Sequence, residues 1–585
     1  MRRTSLAVRY PRSIAHPLAF RRTLVLPASD AAVYPAALLL GFGLPFEAIQ
    51  PVIVTPWVAL TDDKLVLLLA VGAWLVSGAR ALPSSAEWRA LSPSLALLLV
   101  ALVAALLAPE FGDESLRFVW RLAAAAFVLL LVLRLTSDRR RLKGLLWAIA
   151  LGAGLSGLLG LGEAAGWPVL SPVLSLFKVA PTRVGGELRV SASFQYATIA
   201  AMYFEMAAPL AIVLAAASTR RWQQLVLVAI AAICTANVVL SLTRAGMLAL
   251  GLVFGVLLLA AWAKRSVRLV VLPTVVSAAV LVGGAAILAA RDPVFDMRLV
   301  SESDADWYGA AYSAPASLRL AAGQSASIDL DVTNEGRMVW SSREPHPFAL
   351  GYRWLNADGS GVLDLPPGEV ALPRDVAPGE TIHLQTSVPV PALPAGAYRL
   401  DWGMLQRDVL QFYERGWADA ETSVAVLAGP AGLVATMPAI SPRDDSEAPW
   451  VVGRLELWSA AVRLIQTRPL LGVGPDNFRH LYGAQLGLET WDERIQANNL
   501  YLEVLVDVGI FGLACFVWLV AAPLLLAKRQ ISRHGDVFVV GVSLAVIAFL
   551  VHGVLDSFLA FTPTALLLWM LLGILLAQKP QVSGR

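Results

Sequence analysis

Long apolar runs separated by short polar segments fill most of this chain. They lie near 32–54, 64–82, 91–108, 118–136, 144–165, 197–217, 223–242, 245–263, 269–290, 499–527, 537–555 and 563–578. A membrane-spanning helix needs about 20 apolar residues, so the pattern predicts about twelve transmembrane helices. Composition agrees, since 57% of residues are hydrophobic and 15% are charged, against about 25% charged in soluble domains.

The basic residues predict an orientation. Residues 1–30 contain arginines but no acid before Asp30, which indicates a basic cytoplasmic leader ahead of a retained first span. The remaining basic connections then fall on the inner side, as the positive-inside rule requires: Arg80, Arg89, 138–143, Arg220, Arg221, Lys264, Arg265, Arg268, Lys528, Arg529, Arg533 and 579–585. This assignment places both termini in the cytoplasm and a large segment, about 291–497, outside.

The centre of that outer segment, at about 315–427, has a different pattern. Short alternating runs (SIDLDVTN, FALGYRWL, IHLQTSVPV and AYRLDWGM) are separated by glycine and proline turns. This spacing predicts a β-sandwich, and phrases such as PAGAYRLDWGML resemble immunoglobulin-like modules appended to extracellular enzymes. Its aromatic residues suit either a sandwich core, which we favour, or a carbohydrate-stacking face. They are Trp340, Trp354, Tyr398, Trp402 and Trp417.

An amphipathic helix and a glycine-rich turn follow this predicted β-sandwich, which we call the β-module. Apolar residues recur at steps of three or four, which places them on one face of the helix: Val451, Leu455, Trp458, Val462 and Ile465. Pro469 ends this helix, and the turn GVGPDNF is shaped by Gly472, Gly474, Pro475 and Asn477. A long apolar run begins at Asn498.

The predicted fold class is therefore an all-α polytopic membrane protein with an inserted extracytoplasmic β-sandwich domain. Its divisions are the leader 1–30, a bundle of about nine spans at 31–290, the extracytoplasmic segment 291–450, the amphipathic helix and outer loop 451–497, and a bundle of about three spans at 498–580.

Topology restricts the histidines and arginines that could act at the outer face. Of six histidines, His480 and His552 lie near that face, and His552 and Asp556 are four apart, which predicts a shared helix face. The arginines predicted on the outer side are Arg117, Arg121, Arg183, Arg189 and Arg244. Cations close to hydrocarbon are functional candidates by default, and guanidinium groups suit phosphate oxygens. Snorkelling, or pairing with nearby glutamates, is the alternative.

No cofactor is predicted. The two cysteines, Cys234 and Cys515, lie in apolar runs, which favours small buried hydrophobes over a disulfide or a thiolate metal site. The inner side lacks a glycine fingerprint for a nucleotide, and the outer side lacks a cluster of metal ligands.

The stretches PLLGVGPDNF and NNLYLEVLVDVGIFG together resemble the C-terminal half of the O-antigen ligase and polymerase superfamily of membrane glycosyltransferases. That family has a histidine, a polar residue, nine residues and then Gly-x-x-Gly. Here Asn498-Asn499 and Gly509-Ile-Phe-Gly512 fit the spacing, with Asn498 at the histidine position. ELRVSASFQYATIAAMYFEMAAPLAI resembles the family's arginine loop, LSLTRAGMLAL its Ser-Arg-Gly segment, and HGVLDSFLAFTPTALLLWMLLGIL its closing segment.

The resemblance implies transfer or polymerisation of a glycan from an undecaprenyl diphosphate carrier at the outer face of a bacterial cytoplasmic membrane. The acceptor would be a glycan, a lipid or a protein, and no nucleic acid is involved. Arg244 maps onto an arginine thought to hold the diphosphate, and Arg117, Arg121 and Arg189 are candidates beside it. In the family the histidine serves as the base.

An amide such as that of Asn498 orients a hydroxyl but accepts no proton at neutral pH. The base is therefore left open between His480, which we prefer, Glu503, and His552 with Asp556. Two other functions compete with glycosyl transfer. One is an inactive relative that binds lipid-linked glycan with the β-module as receptor. The other is a multispan transporter, which would require mid-membrane charges and paired repeats.

Overall fold

The computed structural model describes residues 30–54, 59–76, 83–263, 269–291, 293–300, 306–343, 346–429, 439–442 and 452–577. Several predicted features fall outside these ranges: nearly all of the basic leader, most of the end of the extracytoplasmic segment at 428–450, Val451, and the inner basic residues Arg80, Lys264, Arg265, Arg268 and 579–585.

The apolar runs form helices. Those of the described residues are α1 Asp30–Gly43, α2 Asp62–Val76, α3 Ser85–Leu106, α4 Gly112–Leu135, α5 Arg139–Ala164, α6 Ser171–Leu174, α7 Ala197–Ala217, α8 Arg221–Leu240, α9 Arg244–Ala263, α10 Val271–Arg291, α11 Pro293–Val300, α12 Arg454–Thr467, α13 Phe478–Leu486, α14 Leu500–His534, α15 Val537–His552 and α16 Thr562–Ala577. Short 3₁₀ turns lie at Leu44–Phe46, Pro168–Leu170 and Phe412–Arg415.

Within the described residues, eight helices are long and apolar enough to cross a membrane: α3, α4, α5, α7, α8, α9, α10 and α14. Shorter apolar helices occupy the other four predicted positions, at Val33–Phe46, Lys64–Leu75, Val537–His552 and Thr562–Ala577. The chain is therefore a polytopic, mainly helical membrane protein, and the count of twelve spans stays a prediction.

Helix α7 is the centre of the bundle. Nearly every one of its residues is buried, and α15 and α16 are almost as enclosed. Helices α5 and α15 meet at the ends that are predicted to face the cytoplasm. There Arg139 at the start of α5 pairs with Asp536, the N-cap of α15, at 2.6 Å. A carboxylate at a helix N-terminus is favourable, so this contact both caps α15 and joins it to α5.

The strands of the described residues are β1 Ile53–Val54, β2 Ala59–Leu60, β3 Thr182–Val184, β4 Glu187–Arg189, β5 Ala310–Ser313, β6 Ser317–Ala321, β7 Ser325–Asn334, β8 Phe348–Leu355, β9 Gly361–Leu363, β10 Gly368–Ala371, β11 Thr381–Pro389, β12 Gly396–Gln406, β13 Leu410–Gln411, β14 Ala420–Leu427 and β15 Ile440–Pro442. All four alternating runs read from the sequence form strands, namely β7, β8, β11 and β12.

Two sheets make up the β-module. One has the order β15-β9-β8-β12-β14-β6, with β10 beside β8 and β13 beside β12, and the other has the order β11-β7-β5. Pairing is antiparallel except between β14 and β6. Alternate residues of both sheets, such as Leu330 and Leu400, share one core. The immunoglobulin-like relationship stays a prediction.

The aromatic residues of the β-module pack its interior. Trp340, Trp354, Tyr398 and Trp402 are all buried, and the half-buried Trp417 packs against the same core. The sandwich-core interpretation therefore holds for the four buried rings, which cannot form a carbohydrate-stacking face.

Only part of the predicted apolar face of α12 packs against the protein, where Trp458 and Ile465 contact the local core. The buried residues are Leu457, Ala460, Ala461 and Leu464, whereas Leu455 is 69% exposed and Val462 is 45% exposed. The two alanines let α13 and α14 approach closely, and a pattern that weighs large side chains misses this contact. The helix does end before Pro469, at Thr467.

Candidate active site

Helix α14 is interrupted where the glycine-rich turn 472–478 lies against it, and we call this turn the glycine loop. Gly509 has φ 67° and ψ −172°, which breaks the helix inside its apolar run. The loop supplies the missing backbone partners: the Val473 amide donates to the Val506 carbonyl at 2.9 Å and the Gly474 amide to the Asp507 carbonyl at 3.0 Å. In return, the Ile510 amide donates to the Pro469 carbonyl at 2.9 Å. A broken helix at membrane depth requires such partners.

Glycine is required on both sides of this interlock. A Cβ at Gly472 would overlap the Val506 and Asp507 backbone, and one at Gly509 would overlap the Leu470 carbonyl. Both residues also have φ near +70°, which side chains disfavour. A side chain at either position would therefore displace the loop from the helix.

The same loop is hydrogen-bonded to the start of α4. The Ser115 hydroxyl donates to the Pro475 carbonyl at 2.9 Å, and the side-chain amide of Asn477 donates to the Glu110 carbonyl at 3.0 Å. Gly474 lies against Ser115. The loop thus joins α4 and α14 at the end of the bundle predicted to face outward.

An ionic cluster lies at the loop. It consists of Asp476, Arg121 and Arg479, and we call it the Asp476 cluster. Asp476 is buried, with Arg479 Nε at 3.2 Å and an Arg121 nitrogen at 3.5 Å. The backbone amide of Asp476 donates to Asp507 Oδ2 at 2.9 Å. Arg121 also donates to the Ala560 carbonyl at 3.2 Å.

A second cluster lies across the loop between α15 and α16, and we call Asp556, Arg189 and Arg454 the Asp556 cluster. Burial raises the pKa of Asp556 to about 6, while the Ser557 amide and the positive charges of Arg454 and Arg189 act in the opposite direction. Arg454 Nε is buried and has no hydrogen-bond partner among the described residues. This cluster therefore has a donor available for a ligand.

The start of α14 fixes the position of the Asp556 loop. The Leu500 amide donates to the carbonyls of Gly553 and Asp556 at 2.7 and 3.1 Å. Asn499 caps α14, accepting from the Tyr501 and Leu502 amides, and its own amide group donates to the Val554 carbonyl at 2.9 Å. The second asparagine of the Asn-Asn pair is thus structural.

Arg189 ends the β3–β4 hairpin and is held from two sides. Its Nε donates to the Ser241 carbonyl at 3.0 Å, and a terminal nitrogen donates to Thr243 Oγ1 at 3.3 Å. Just beyond Arg189, the buried Glu163 carboxylate accepts from the Ala192 amide at 2.8 Å and forms an ion pair with Lys178. The half-buried Arg244 begins α9 directly after Thr243.

His552 is buried beside an acid in the middle of the bundle. Its Nδ1 lies 2.7 Å from Glu205 Oε1 of α7, and both side chains are almost fully enclosed. Helix α15 ends at His552, so Asp556 lies in the following loop. The predicted shared helix face of His552 and Asp556 is therefore wrong, because Gly553 terminates the helix before another turn forms.

The remaining predicted residues lie around these clusters. The His480 ring on α13 stacks on Phe111 with centroids 4.6 Å apart, and Nδ1 lies 3.1 Å from Glu493 Oε2, an ion-pair distance without hydrogen-bond geometry. Asn498 is half-buried, with φ 49°. Arg117 is 68% exposed in its side chain and pairs with Glu114 at 2.6 Å.

Two residues of this region were not predicted to be functional. Arg454 lies on the amphipathic helix α12, and its place in the sequence gives no sign that the fold brings it near Asp556. Glu205 carried a usable signal, because it is an acid inside an apolar span and such acids are functional candidates. Among the described residues, no group of three or more His, Cys, Asp or Glu side chains is arranged to hold a metal ion.

Comparison with known proteins gives one informative match. No curated protein matches the chain. A solved structure of Pseudomonas fluorescens alkylpurine DNA glycosylase AlkC, bound to DNA containing an abasic site analog, aligns over 58% of this chain and 99% of that chain. Its identity of 9% and TM-score of 0.13 are too low to support an inference.

Residues 413–517 match the family model described as O-antigen ligase. The match contains the end of the β-module, Arg454, the glycine loop and the broken part of α14. This match supports the resemblance to the O-antigen ligase and polymerase superfamily that the sequence motifs indicate.

Proposed function

We propose that this protein is a membrane glycosyltransferase. It transfers or polymerises a glycan from a polyprenyl diphosphate carrier at the outer face of the bacterial cytoplasmic membrane. The family match supports a lipid-linked glycan as the substrate class. The observation that carries the proposal is the Asp556 cluster, where two guanidinium groups act on one carboxylate and one of them has a buried nitrogen without a partner.

In this proposal the arginines bind the diphosphate. Arg189 and Arg454 supply forked, charge-assisted hydrogen bonds to its oxygens. Arg244 follows the turn that holds Arg189, so it lies at the rim of the site, whereas Arg121 is paired with Asp476 beside the glycine loop. The positive charge of Arg189, Arg454 and Arg244 stabilises the negative charge that develops on the diphosphate as it leaves.

Asp556 is the proposed base. It removes the proton from the acceptor hydroxyl as the hydroxyl oxygen bonds to the anomeric carbon. The bond from that carbon to the diphosphate oxygen breaks, and polyprenyl diphosphate leaves with its electron pair, which inverts the configuration. A pKa of about 6 keeps Asp556 ionised near neutral pH while matching it to proton transfer. Asn498 orients the hydroxyl through its amide.

The residues around Asp556 set its position. The His552–Glu205 pair fixes the end of α15, from which the Asp556 loop departs. His480 is a competing base, on α13 beside Glu493. Substitution of each residue separates these two assignments.

The test uses purified protein in proteoliposomes with a lipid-linked glycan and an acceptor. Arg189→Ala and Arg454→Ala should each lower transfer by about 10- to 100-fold, the usual range for a lost hydrogen bond to a charged group. Arg463→Ala is the matched control, because Arg463 lies on the same helix as Arg454 but donates to the Gln485 carbonyl. Wild-type activity in Arg454→Ala would contradict the proposal.

A non-catalytic glycan-binding role is the competing hypothesis, and Asn498 at the position of the family histidine favours it. Wild-type protein that binds the lipid-linked glycan without turnover would support this role. If turnover occurs, product size separates the two reactions: a ligase attaches one glycan per acceptor, whereas a polymerase gives a ladder.

A further inference from the structure

The β3–β4 hairpin connects the Asp556 cluster to the β-module. Its last residue, Arg189, bonds to Ser241 and Thr243 at the end of the helix bundle. Its turn, Gly185-Gly186, lies only three residues away and contacts the β-module. The hairpin has three-residue strands, and an isolated two-stranded hairpin is marginally stable in water. Its position therefore depends on what holds the turn.

Two polar residues of the β-module hold that turn. Gln406 Nε2 donates to the Gly185 carbonyl at 3.5 Å, and Tyr308 orients the amide by donating to Gln406 Oε1 at 2.9 Å. His346 packs beside Gly186, with Nδ1 at 3.1 Å from the Arg407 carbonyl. Arg183 closes the contact, donating to the Gly186 carbonyl at 2.8 Å and lying 3.5 Å from His346 Nε2.

Apolar packing anchors the same contact. Val184 of the hairpin is buried in the core cluster of the β-module together with Trp307 and Tyr308. Leu242 joins that cluster, and it lies between the two residues that bond to Arg189. The β-module thus packs against both the hairpin and the turn that receives the arginine.

We infer that the β-module positions Arg189 over the carrier site by gripping the β3–β4 hairpin, with Gln406 and His346 as positioning residues. This inference rests on the proposed function, because it assigns Arg189 to diphosphate binding. It gives the inserted module a role in the reaction that needs no glycan-binding face of its own. A loosened hairpin weakens donor binding, because Arg189 must then be ordered at the cost of binding energy.

The test compares two matched pairs of substitutions in the full chain. Gln406→Ala and His346→Ala remove the hairpin contacts. Gln385→Ala and His383→Ala are the controls, because both residues are exposed on β11 of the other sheet. Hydrogen–deuterium exchange of residues 182–189 is one readout, and the KM for the lipid-linked donor and kcat are the others.

In the combined Gln406→Ala/His346→Ala variant, we expect faster exchange in the hairpin and a KM raised about tenfold, with kcat changed much less. The combined control should match wild type. In an Arg189→Ala background, loss of Gln406 and His346 should cause no further rise in KM, since coupled residues are not additive.

Unchanged exchange in the hairpin, with the β-module still folded, would overturn the inference. Faster exchange without a change in KM would overturn it as well, as would an equal effect of the control pair. Failure of the proposed function looks different, because Arg189→Ala alone would then leave transfer intact while the exchange measurement still reports on docking.

Discussion

Two ionic clusters near the predicted outer ends of the helices have the same composition, one aspartate and two arginines, but the arginines interact with the aspartate differently. In the Asp476 cluster both arginines contact the carboxylate, at 3.2 and 3.5 Å, and the Asp476 backbone amide donates to Asp507. In the Asp556 cluster Arg189 and Arg454 act on the carboxylate through their charge, and Arg454 Nε keeps a buried, unpartnered donor.

The difference shows how similar residues divide between structure and function. A buried carboxylate with direct partners stabilises the fold around it, and removal of one partner leaves an uncompensated charge. A cluster that keeps an unused donor has capacity for an anionic ligand. On this basis the Asp476 cluster holds the glycine loop, and the Asp556 cluster binds and activates substrate.

The largest expected effect is that of Asp556→Asn. The amide is close in shape but accepts no proton, so transfer should fall by about 100- to 1,000-fold, within the usual range for a lost general base. His480→Ala measured in the same assay is the comparison. A larger loss with His480→Ala than with Asp556→Asn would assign the base to His480.

The pH dependence of the same variant sharpens this prediction. Because burial raises the pKa of Asp556 to about 6, wild-type transfer should fall as the pH is lowered through 6 and the carboxylate takes a proton. The free energy of unfolding has the opposite dependence on pH. Because the pKa of Asp556 is higher in the folded protein than in the unfolded chain, ionisation of Asp556 lowers the stability as the pH rises through 6. The residual transfer rate of Asp556→Asn should therefore no longer fall as the pH is lowered through 6. At pH 8 the melting temperature of this variant should be no lower than that of the wild type.

Asp476→Asn should lower the stability of the protein and leave glycan transfer nearly unchanged. Asparagine tolerates the positive φ of 66° at this position, so the backbone can stay as it is while the charge is lost. We expect a loss of unfolding free energy of about 2 kcal/mol, below the range for fully buried pairs because Arg121 is partly exposed. The melting temperature should fall, while transfer per folded molecule stays within about threefold of wild type. A catalytic defect without destabilisation would contradict the structural role.

The smallest effect is expected for Arg117→Ala. Arg117 is a candidate diphosphate ligand by sequence, but its guanidinium pairs with Glu114 three residues away and is 68% exposed. Exposed pairs of this kind contribute about 0–1 kcal/mol, so stability should barely change. The KM for the lipid-linked donor is the decisive measurement. If Arg117→Ala raises this KM as much as Arg189→Ala does, Arg117 also binds the diphosphate.

Features set by local sequence could be predicted well. The alternating runs became strands with nearly the predicted bounds, FALGYRWL without any change, because period-two patterning and turn residues act over a few residues. Pro469 and the capping residue Asn499 likewise mark the end of α12 and the start of α14. The apolar runs became helices, because the backbone must satisfy its own hydrogen bonds in lipid.

Features set by neighbours could not be read in the same way. The buried face of α12 depends on α13 and α14 fitting against Ala460 and Ala461. Arg454 is one of two arginines on α12, and only the approach of the loop between α15 and α16 brings it near Asp556. The break at Gly509 is stable because a loop more than thirty residues earlier supplies its hydrogen bonds.

By itself, the sequence determined that this is a polytopic membrane protein with a β-rich insertion, and it supplied arginines, acids and a glycine loop on the side predicted to be outer. Hydropathy and periodicity are local properties of the chain, and they are sufficient for that much. Tertiary structure decided which charges contact one another, which arginine keeps a free donor and what holds the hairpin of Arg189. These depend on distances between segments far apart in the chain, which no local pattern encodes.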